Sequence, residues 1–409
     1  MSFQQGLSGL SSSSKTLEVI GNNVANANTV GFKQSQALFS DVYAASIDGS
    51  GNSQIGIGTR LTEVAQQFTQ GNVTASNNPL DTAVNGGGFF RMDTNGAVTY
   101  SRNGQFQLDK SGNIVDAEGA KLTGYVADAR GVLSTGSASP IMIRTSDLPP
   151  QVTTTVSSVL NLDSRQDVPT TTPFSMSDPT TYNNATSVSV FDSLGNPHVL
   201  QTFYLKTGAG TWDVYAAADD NLVNGGAAVG SLAFGTDGAL TPASQAALPV
   251  NVSIPVTTGA ANPLVVGVDY TNTTQFGSSF AVNKLDQDGY TSGRLSGFGI
   301  AADGTVMGRY TNGQSAVLGQ VVLASFANPN GLHPLGGNQW AETAESGSPM
   351  VGAPDSGNLG ALQANAVEDS NVDLTAELVN MITAQRNYQA NAQTIKTQDQ
   401  IMQTLVNLR

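Results

Sequence analysis

The residues best suited to catalysis are two histidines, His198 and His333, which lie far apart in the chain. A nucleophilic triad needs a serine beside a histidine that an acid orients. The Gly-x-Ser-x-Gly turn that carries such a serine is missing, since the run at 293–297 has the wrong spacing. Carboxylates paired for glycoside hydrolysis leave no local signature, but the chain holds only seven Glu. The sequence therefore predicts no enzyme and no catalytic residue.

Two further motifs look like ligand sites. The run Asn85-Gly86-Gly87-Gly88-Phe89-Phe90 is rich in glycine, but it lacks the Lys-Ser/Thr that follows a phosphate-binding loop. We interpret it as a turn that leads into a buried aromatic strand. The run 109–114, Asp-Lys-Ser-Gly-Asn-Ile, lacks the glycine and the closing Glu of a calcium loop. It predicts a structural turn, and we expect no metal and no cofactor.

The composition narrows the function classes further. The 409 residues carry 17 Lys and Arg against 31 Asp and Glu, a net charge of −14. Binding to a nucleic-acid backbone needs clustered cations, so it is not expected. The absence of Cys excludes disulfides, Cys-ligated zinc and cysteine nucleophiles. We also expect no cleaved signal peptide and no membrane insertion, because no charged, apolar leader and no long apolar run occur.

Both ends of the chain repeat apolar residues with a seven-residue period, which is typical of coiled-coil helices. No Pro or Gly interrupts 372–409, and Asn371 or Asp373 is a candidate helix cap. Such a helix would be roughly 55 Å long. We call the repeated positions the seam residues, namely Phe3, Leu7, Leu10, Leu17, Val24, Leu374, Leu378, Met381, Tyr388, Ala392, Ile395, Met402 and Val406.

The faces opposite the seam carry amides where a solvated coiled coil carries charges. Residues 1–30 contain only Lys15 and Glu18 as charged side chains, and 371–409 is rich in Asn and Gln. Amides pack without the desolvation cost of ions. These faces predict helices that are packed on several sides, in part against other copies of the chain. A hairpin of the two helices within one chain remains the alternative.

The middle of the chain predicts β structure. Short β-type runs alternate with Asp-x-x-Gly units that begin at residues 93, 109, 116, 128, 192 and 286, and these are hairpin signals. The stretch 146–284 is acidic and begins at a Pro-Pro break. The predicted fold is multidomain, α plus all-β, with coiled-coil-like terminal helices around nested barrel- or sandwich-like domains. Its divisions are 1–30 plus 371–409 (helical core), 31–70 plus 359–370 (linker), 71–145 plus 285–358 (inner β domain) and 146–284 (outer β domain).

The run 22–33, Asn-Asn-Val-Ala-Asn-Ala-Asn-Thr-Val-Gly-Phe-Lys, resembles the N-terminal signature of the bacterial flagellar rod and hook proteins. The run 365–391 resembles the closing helix of that family, and 86–90 with 100–106 resembles its inner β domain. Among the family's members the hook proteins are most similar, since their outer domain resembles Asp192–His198. The matching signature residues are Asn22, Asn23, Asn26, Thr29, Gly31 and Phe32.

The resemblance implies a tubular helical polymer of this chain that acts as a universal joint between rod and filament and encloses an export channel. It implies contacts with a distal rod protein, a hook cap and a hook–filament junction protein. It also implies delivery outside the cell by the flagellar type III export apparatus. Two alternatives rest on the acidic, Ser- and Thr-rich middle and its carboxylates: a secreted adhesin or glycan-binding protein, and an extracellular hydrolase.

Overall fold

The computed structural model describes residues 2–42, 56–128, 131–144 and 146–407. Long helices lie at both ends, α1 over Ser2–Ala25 and α3 over Leu374–Asn407, and a short helix, α2, covers Pro242–Ala246. The expected terminal helices and β-rich middle are confirmed. No described helix is long and apolar enough to cross a membrane.

The start of α3 is fixed by Asp373, one of the two predicted caps. Its Oδ1 accepts hydrogen bonds from the backbone N–H groups of Thr375 (2.9 Å) and Ala376 (3.1 Å). These groups have no partner within the helix, so the cap stabilises its first turn. Asn371, the other candidate, instead accepts a 2.7 Å bond from the backbone of Gln34.

The chain forms two compact units. Unit 1 comprises Met1–Thr145, Gly297–Arg309 and Ser315–Arg409, and unit 2 comprises Ser146–Ser296 and Tyr310–Gln314. The finer division into four parts stays a prediction. The strands that precede unit 2 are β1 Ser35–Val42, β2 Gly58–Gln66, β3 Val73–Ala75, β4 Thr82–Asn85, β5 Phe89–Thr94, β6 Ala97–Ser101, β7 Gln107–Leu108, β8 Ile114–Val115, β9 Lys121–Val126 and β10 Ser139–Pro140.

Unit 2 consists of two sheets that share one core. Its strands are β11 Thr155–Asn161, β12 Asn184–Phe191, β13 Pro197–Gly208, β14 Thr211–Ala218, β15 Asn221–Leu222, β16 Gly230–Ala233, β17 Val250–Ile254, β18 Leu264–Asp269 and β19 Ala281–Gln287. One sheet has the order β17-β18-β11-β19, and the other has β12-β13-β14-β15 with β16 beside β14. Alternate residues of β13 and β14 point inward, so Tyr204 and Trp212 meet Val266 in the core.

Unit 1 is completed by strands from the part of the chain after residue 294. They are β20 Leu295–Ile300, β21 Thr305–Tyr310, β22 Ser315–Val321, β23 Leu323–Ser325, β24 His333–Gly336, β25 Gln339–Ala341, β26 Met350–Gly352, β27 Ala361–Ala364 and β28 Ala366–Glu368. The main sheet has 13 strands, and its longest path is β20-β21-β22-β9-β5-β6-β25-β24. Three separate pairs, β1-β2, β27-β4 and β28-β3, lie outside it.

The predicted turns form as expected at most of the Asp-x-x-Gly units. The glycines at 96, 112, 119, 131 and 195 have positive φ, whereas Gly289 does not. Both carboxylate oxygens of Asp109 accept hydrogen bonds within its own turn. Oδ1 accepts from the backbone N–H groups of Ser111 and Asn113, and Oδ2 accepts from the side-chain amide of Asn113. The calcium-like motif is therefore a turn. Phe89 and Phe90 are buried after the glycine run, as predicted.

Candidate functional site

The helices α1 and α3 pack against each other through small residues of α1. A Cβ added at Gly6 would lie 3.1 Å from Ile395 Cγ1, and one added at Gly9 would lie 2.8 Å from Asn391 Nδ2. Only glycine leaves room for so close an approach of the two helices. A search for apolar periodicity misses this face, because glycine gives no hydrophobic signal.

On α3 the most buried side chains also repeat every seven residues, and they alternate along the helix with the predicted seam residues Met381, Tyr388 and Ile395. Glu377 and Ala384, seven residues apart, are the buried side chains of this helix among its described residues, and Asn391 follows at the next repeat. Each residue of a helix is rotated by about 100° from the one before it, so the line through Glu377 and Ala384 lies about 100° around the helix from the line through Leu378. The side of α3 that carries Leu378 is left without cover from α1.

The seam residues are accordingly exposed or half-buried in a single chain. Half-buried members are Leu10, Leu17, Val24, Met381, Ala392 and Ile395. The exposed members, between 38% and 71% accessible, are Phe3, Leu7, Leu374, Leu378, Tyr388, Met402 and Val406. Val379, Ile382 and Ile401 add further exposed apolar surface to α3. A seam formed between copies stays a prediction.

The signature residues build the base of α1. Asn23 is buried and bonds twice to Ser35: its Nδ2 donates to the Ser35 carbonyl (2.8 Å), and its Oδ1 accepts from the Ser35 N–H (2.9 Å). Asn26 Nδ2 donates to the carbonyl of Asn22 (2.9 Å) as the helix ends. The helix therefore stops before residue 30, and the chain turns back onto β1.

Gly31, Phe32 and Lys33 connect this base to the strand that precedes α3. Gly31 has a φ of +73°, and its N–H donates to the carbonyl of Glu368 (2.8 Å). A Cβ at Gly31 would lie 2.6 Å from the backbone nitrogen of Asn103, so only glycine fits. Phe32 is buried beside it. Thr29 accompanies them, with its N–H bonded to the carbonyl of Asn26 (3.0 Å).

A buried ionic cluster lies next to this connection. Glu368 Oε1 accepts from Lys33 Nζ (2.6 Å) and from the Gly71 N–H (2.8 Å), and Oε2 accepts from Arg102 Nη1 (3.2 Å). The side chains of Lys33 and Glu368 have no accessible surface. Burial lowers the pKa of Lys33, and the charge of Glu368 offsets part of that shift. The cluster ties the end of α1, the start of α3 and the main sheet together.

A second polar cluster surrounds His198 in unit 2. His198 Nδ1 lies 2.6 Å from Asp219 Oδ2, and Nε2 lies 3.4 Å from Asp192 Oδ2. Thr258 Oγ1 donates to the same Asp192 oxygen (2.7 Å). Burial alone lowers the pKa of His198, but the hydrogen bonds to the two aspartates outweigh it, so the pKa is raised. The cluster joins three loops. Asp219 and Thr258 are far from His198 in the sequence, so the sequence alone does not predict that they belong to it.

Neither cluster has the geometry of a metal centre. Within the described ranges, no group of three or more Asp, Glu and His side chains is arranged to hold a metal ion. The candidate functional site is therefore the pair of terminal helices, with the exposed apolar residues of α3 and the buried ionic cluster around Glu368 next to them.

Family models of flagellar axial proteins match along the chain. They are the flagella basal body rod protein (residues 3–33), the flagellar hook protein FlgE/F/G D1 domain (83–158), the flagellar basal body protein FlaE D2 domain (161–290) and the flagellar basal body rod FlgEFG protein C-terminal model (363–408). The flagellar hook protein FlgE of Escherichia coli K12 is 43% identical over the full length of both chains. The chain belongs to the flagellar hook protein FlgE family.

More distant FlgE proteins also align over the whole chain. That of Borreliella burgdorferi is 32% identical and is covered over 99% of its length. The crystal structure of the Helicobacter pylori flagellar hook protein FlgE2 matches with a TM-score of 0.54 and 14% identity, covering 72% of this chain and all of that one. At that identity the match shows a shared fold.

Family membership decides between the functional alternatives. FlgE proteins are structural subunits of the flagellar hook and not enzymes, so the predicted structural role is confirmed. The comparisons give no support to the adhesin alternative or to the extracellular hydrolase.

Proposed function

We propose that this chain polymerises through α1 and α3 into a flexible helical tube, the hook, which transmits torque from rod to filament and encloses an export channel. The observation that carries the proposal is the uncovered apolar surface of α3. Large apolar side chains such as Leu378, Ile382 and Val406 are between 45% and 71% exposed in one chain. Apolar surface gains about 25 cal/mol per Å² when it is removed from water, so contact between copies is favourable.

The packing between copies that best suits this surface is coiled-coil-like. The exposed seam residues Leu374, Tyr388 and Met402 lie at multiples of seven residues along α3, and amides outnumber ions among the polar residues of this helix. A head-to-tail contact that does not close on itself generates a helical filament. Large apolar contacts between helices make such a tube torsionally firm, whereas smaller, wetter contacts between β domains let it bend.

The same proposal covers the domain scheme, the partners and the location. The terminal helices serve as the core of the tube, 31–70 with 359–370 as a linker, and 71–145 with 285–358 and 146–284 as inner and outer β domains. The distal rod protein, the hook cap and the hook–filament junction protein are the neighbours along the axis. The type III export apparatus delivers the chain outside the cell without cleavage of a signal peptide.

The test is polymerisation of the purified full-length chain, followed by sedimentation and electron microscopy. Leu378→Asp places a charge on the exposed apolar face, and we expect it to abolish tubes while thermal unfolding of the β units is unchanged. Val265→Asp is the matched control, since Val265 is an apolar residue in unit 2 that is exposed to a similar degree (52% against 45% for Leu378), and this variant should still form tubes. Tubes formed by Leu378→Asp at the wild-type concentration contradict the proposal.

A further inference from the structure

A groove opens beside the contact between α1 and α3. It has a volume of about 420 Å³, and its walls are α1, β1 and α3. Apolar side chains on these walls include Val19 and Ile20 from α1 and Phe39 from β1, while α3 contributes Asn380 and Glu377. Most of the other lining residues carry amides or hydroxyls, so the groove combines a few apolar side chains with polar groups and one carboxylate.

Glu377 is unusual among the buried acids of unit 1. The residue is 3% exposed, and Oε1 accepts a 2.6 Å bond from Gln34 Nε2. Its other oxygen, Oε2, has no hydrogen-bond partner within the described part of the chain. Glu368, by contrast, binds two cations. The first turn of α3 favours a negative charge at 377, but an unpaired buried carboxylate oxygen is still costly. The groove is suited to a cationic hydrogen-bond donor.

The opposite face of α3 presents such a donor. Arg386 lies nine residues after Glu377, and at about 100° per residue nine steps amount to two and a half turns, which places the two residues on opposite sides of the helix. Arg386 is exposed and makes no ion pair or hydrogen bond with any residue that the structure describes. Leu378, Val379 and Ile382, between 45% and 58% exposed, lie on the same side of the helix. We call Leu378, Val379, Ile382 and Arg386 the outer stripe.

The groove and the outer stripe are complementary in character. The groove has an unsatisfied carboxylate among amides and a few apolar side chains, and the outer stripe has apolar side chains next to an unpaired guanidinium. Because they face opposite ways on one helix, they cannot meet within one chain. Two copies related head to tail bring them together, and such a contact leaves a groove and a stripe free for the next copies.

We propose that the outer stripe of one copy docks in the groove of a second copy, where the Arg386 guanidinium bonds to the free oxygen of Glu377. This inference rests on the proposed function, since it names the contact that builds the polymer. A guanidinium is better suited than an ammonium, because it is planar, weakly hydrated and bonds carboxylates bidentately. Lys396, the other unpaired cation described on α3, lies one turn from Ala392 and Gln400 and lacks an apolar stripe.

Cross-linking between two variants tests the docking while keeping both charged residues. Asn380→Cys labels the groove, and Gln389→Cys labels the helix face one turn beyond Arg386. The natural chain has no Cys, so each variant carries one thiol. Tubes assembled from a mixture of the two chains and treated with a short bis-maleimide should yield a cross-linked dimer. Tubes of either variant alone are the controls and should yield little or none.

A double-mutant cycle tests the pairing itself. Arg386→Gln should raise the critical concentration for polymerisation at least about tenfold, because Glu377 then stays unpaired. In a Glu377→Gln background the same substitution should have little effect, since the partner charge is gone. Lys396→Gln removes the same charge from α3 and should change the critical concentration less than about twofold.

The outcomes separate the inference from the proposed function. If wild-type chains form tubes but the mixed cross-link is absent, the docking is refuted and polymerisation stands. Equal effects of Arg386→Gln in the two backgrounds refute the Arg386–Glu377 pair. Failure of the wild-type chain to polymerise under any condition refutes both proposals.

Discussion

Replacement of Glu368 by Gln tests the role of the ionic cluster at the base of the terminal helices. The substitution keeps the shape of the side chain but removes the charge that two buried cations share. Lys33 and Arg102 would then be left unpaired, away from water. Loss of one partner from a buried ion pair costs about 3–5 kcal/mol. The amide keeps only one acceptor oxygen, so its Nε2 would face either Arg102 or the donors Lys33 and Gly71 N–H.

The expected loss is large on the scale of a folded unit. Unit 1 has roughly 250 residues, and for that size 1 kcal/mol shifts the unfolding midpoint by about 2–4 °C. Glu368→Gln should therefore lower the midpoint of unit 1 by about 6–20 °C. Each unit holds one of the two tryptophans, Trp340 in unit 1 and Trp212 in unit 2. A Trp212→Phe background makes fluorescence report on unit 1 alone, and mutant and reference are compared within it.

A matched control separates burial from charge. Lys15 and Glu18 form an ion pair at 2.7 Å on the exposed surface of α1, and Glu18→Gln should leave the midpoint unchanged. Replacing the cluster by Lys33→Met, Glu368→Leu and Arg102→Met together removes all three charges and should restore much of the lost stability. A loss below about 1 kcal/mol in Glu368→Gln alone would show that the cluster is not an energetic link.

Two further predictions concern backbone strain and pH. Gly31→Ala should destabilise unit 1 by about 1–3 kcal/mol because residue 31 has a positive φ. Gly21→Ala, where the added Cβ meets open space within α1, should stabilise unit 1 by about 0.5–1 kcal/mol. Denaturant unfolding measures both free energies, and equal effects of the two substitutions would contradict the strain argument. The raised pKa of His198 means that its protonated form stabilises unit 2, so this stability is complete below the unfolded pKa of about 6.5 and is lost as pH rises through the folded pKa. Unfolding of unit 2, followed by Trp212 fluorescence between about pH 6 and 9, should show that decline in the wild type and not in His198→Gln; an unchanged decline in the variant would rule out His198 as its source.

The elements that sequence alone predicts are those with local causes. The extent of α3 follows from a stretch without Pro or Gly and from a capping aspartate, and both act within a few residues. The Asp-x-x-Gly turns form because Asp bonds the backbone just ahead of it and glycine accepts positive φ. The family signature is likewise a continuous run.

The polar clusters could not be predicted, because they depend on distant residues. Lys33 and Glu368 are 335 residues apart in the chain, and Arg102 and Glu368 are 266 apart. Nothing in the local pattern marks them as partners. The face of α1 that contacts α3 was hidden for another reason, since it is built from Gly6 and Gly9 rather than from the apolar residues that a periodicity search detects.

Buried polar residues near the terminal helices stabilise the fold of one chain, whereas exposed apolar residues of α3 are available for contacts between chains. At the base, buried polar groups such as Asn23 and Glu368 hold the end of α1 against β1 and the strand before α3 against the segment that follows α1. Such groups tolerate few geometries, because a misplaced partner leaves a buried charge or amide unsatisfied. Along α3, exposed apolar residues add little to the stability of one chain, yet they gain free energy wherever another apolar surface covers them. Substitutions at the base should therefore impair folding, whereas substitutions on the outer stripe should impair assembly of a folded chain. A set of base variants that fold normally but fail to assemble would contradict this division.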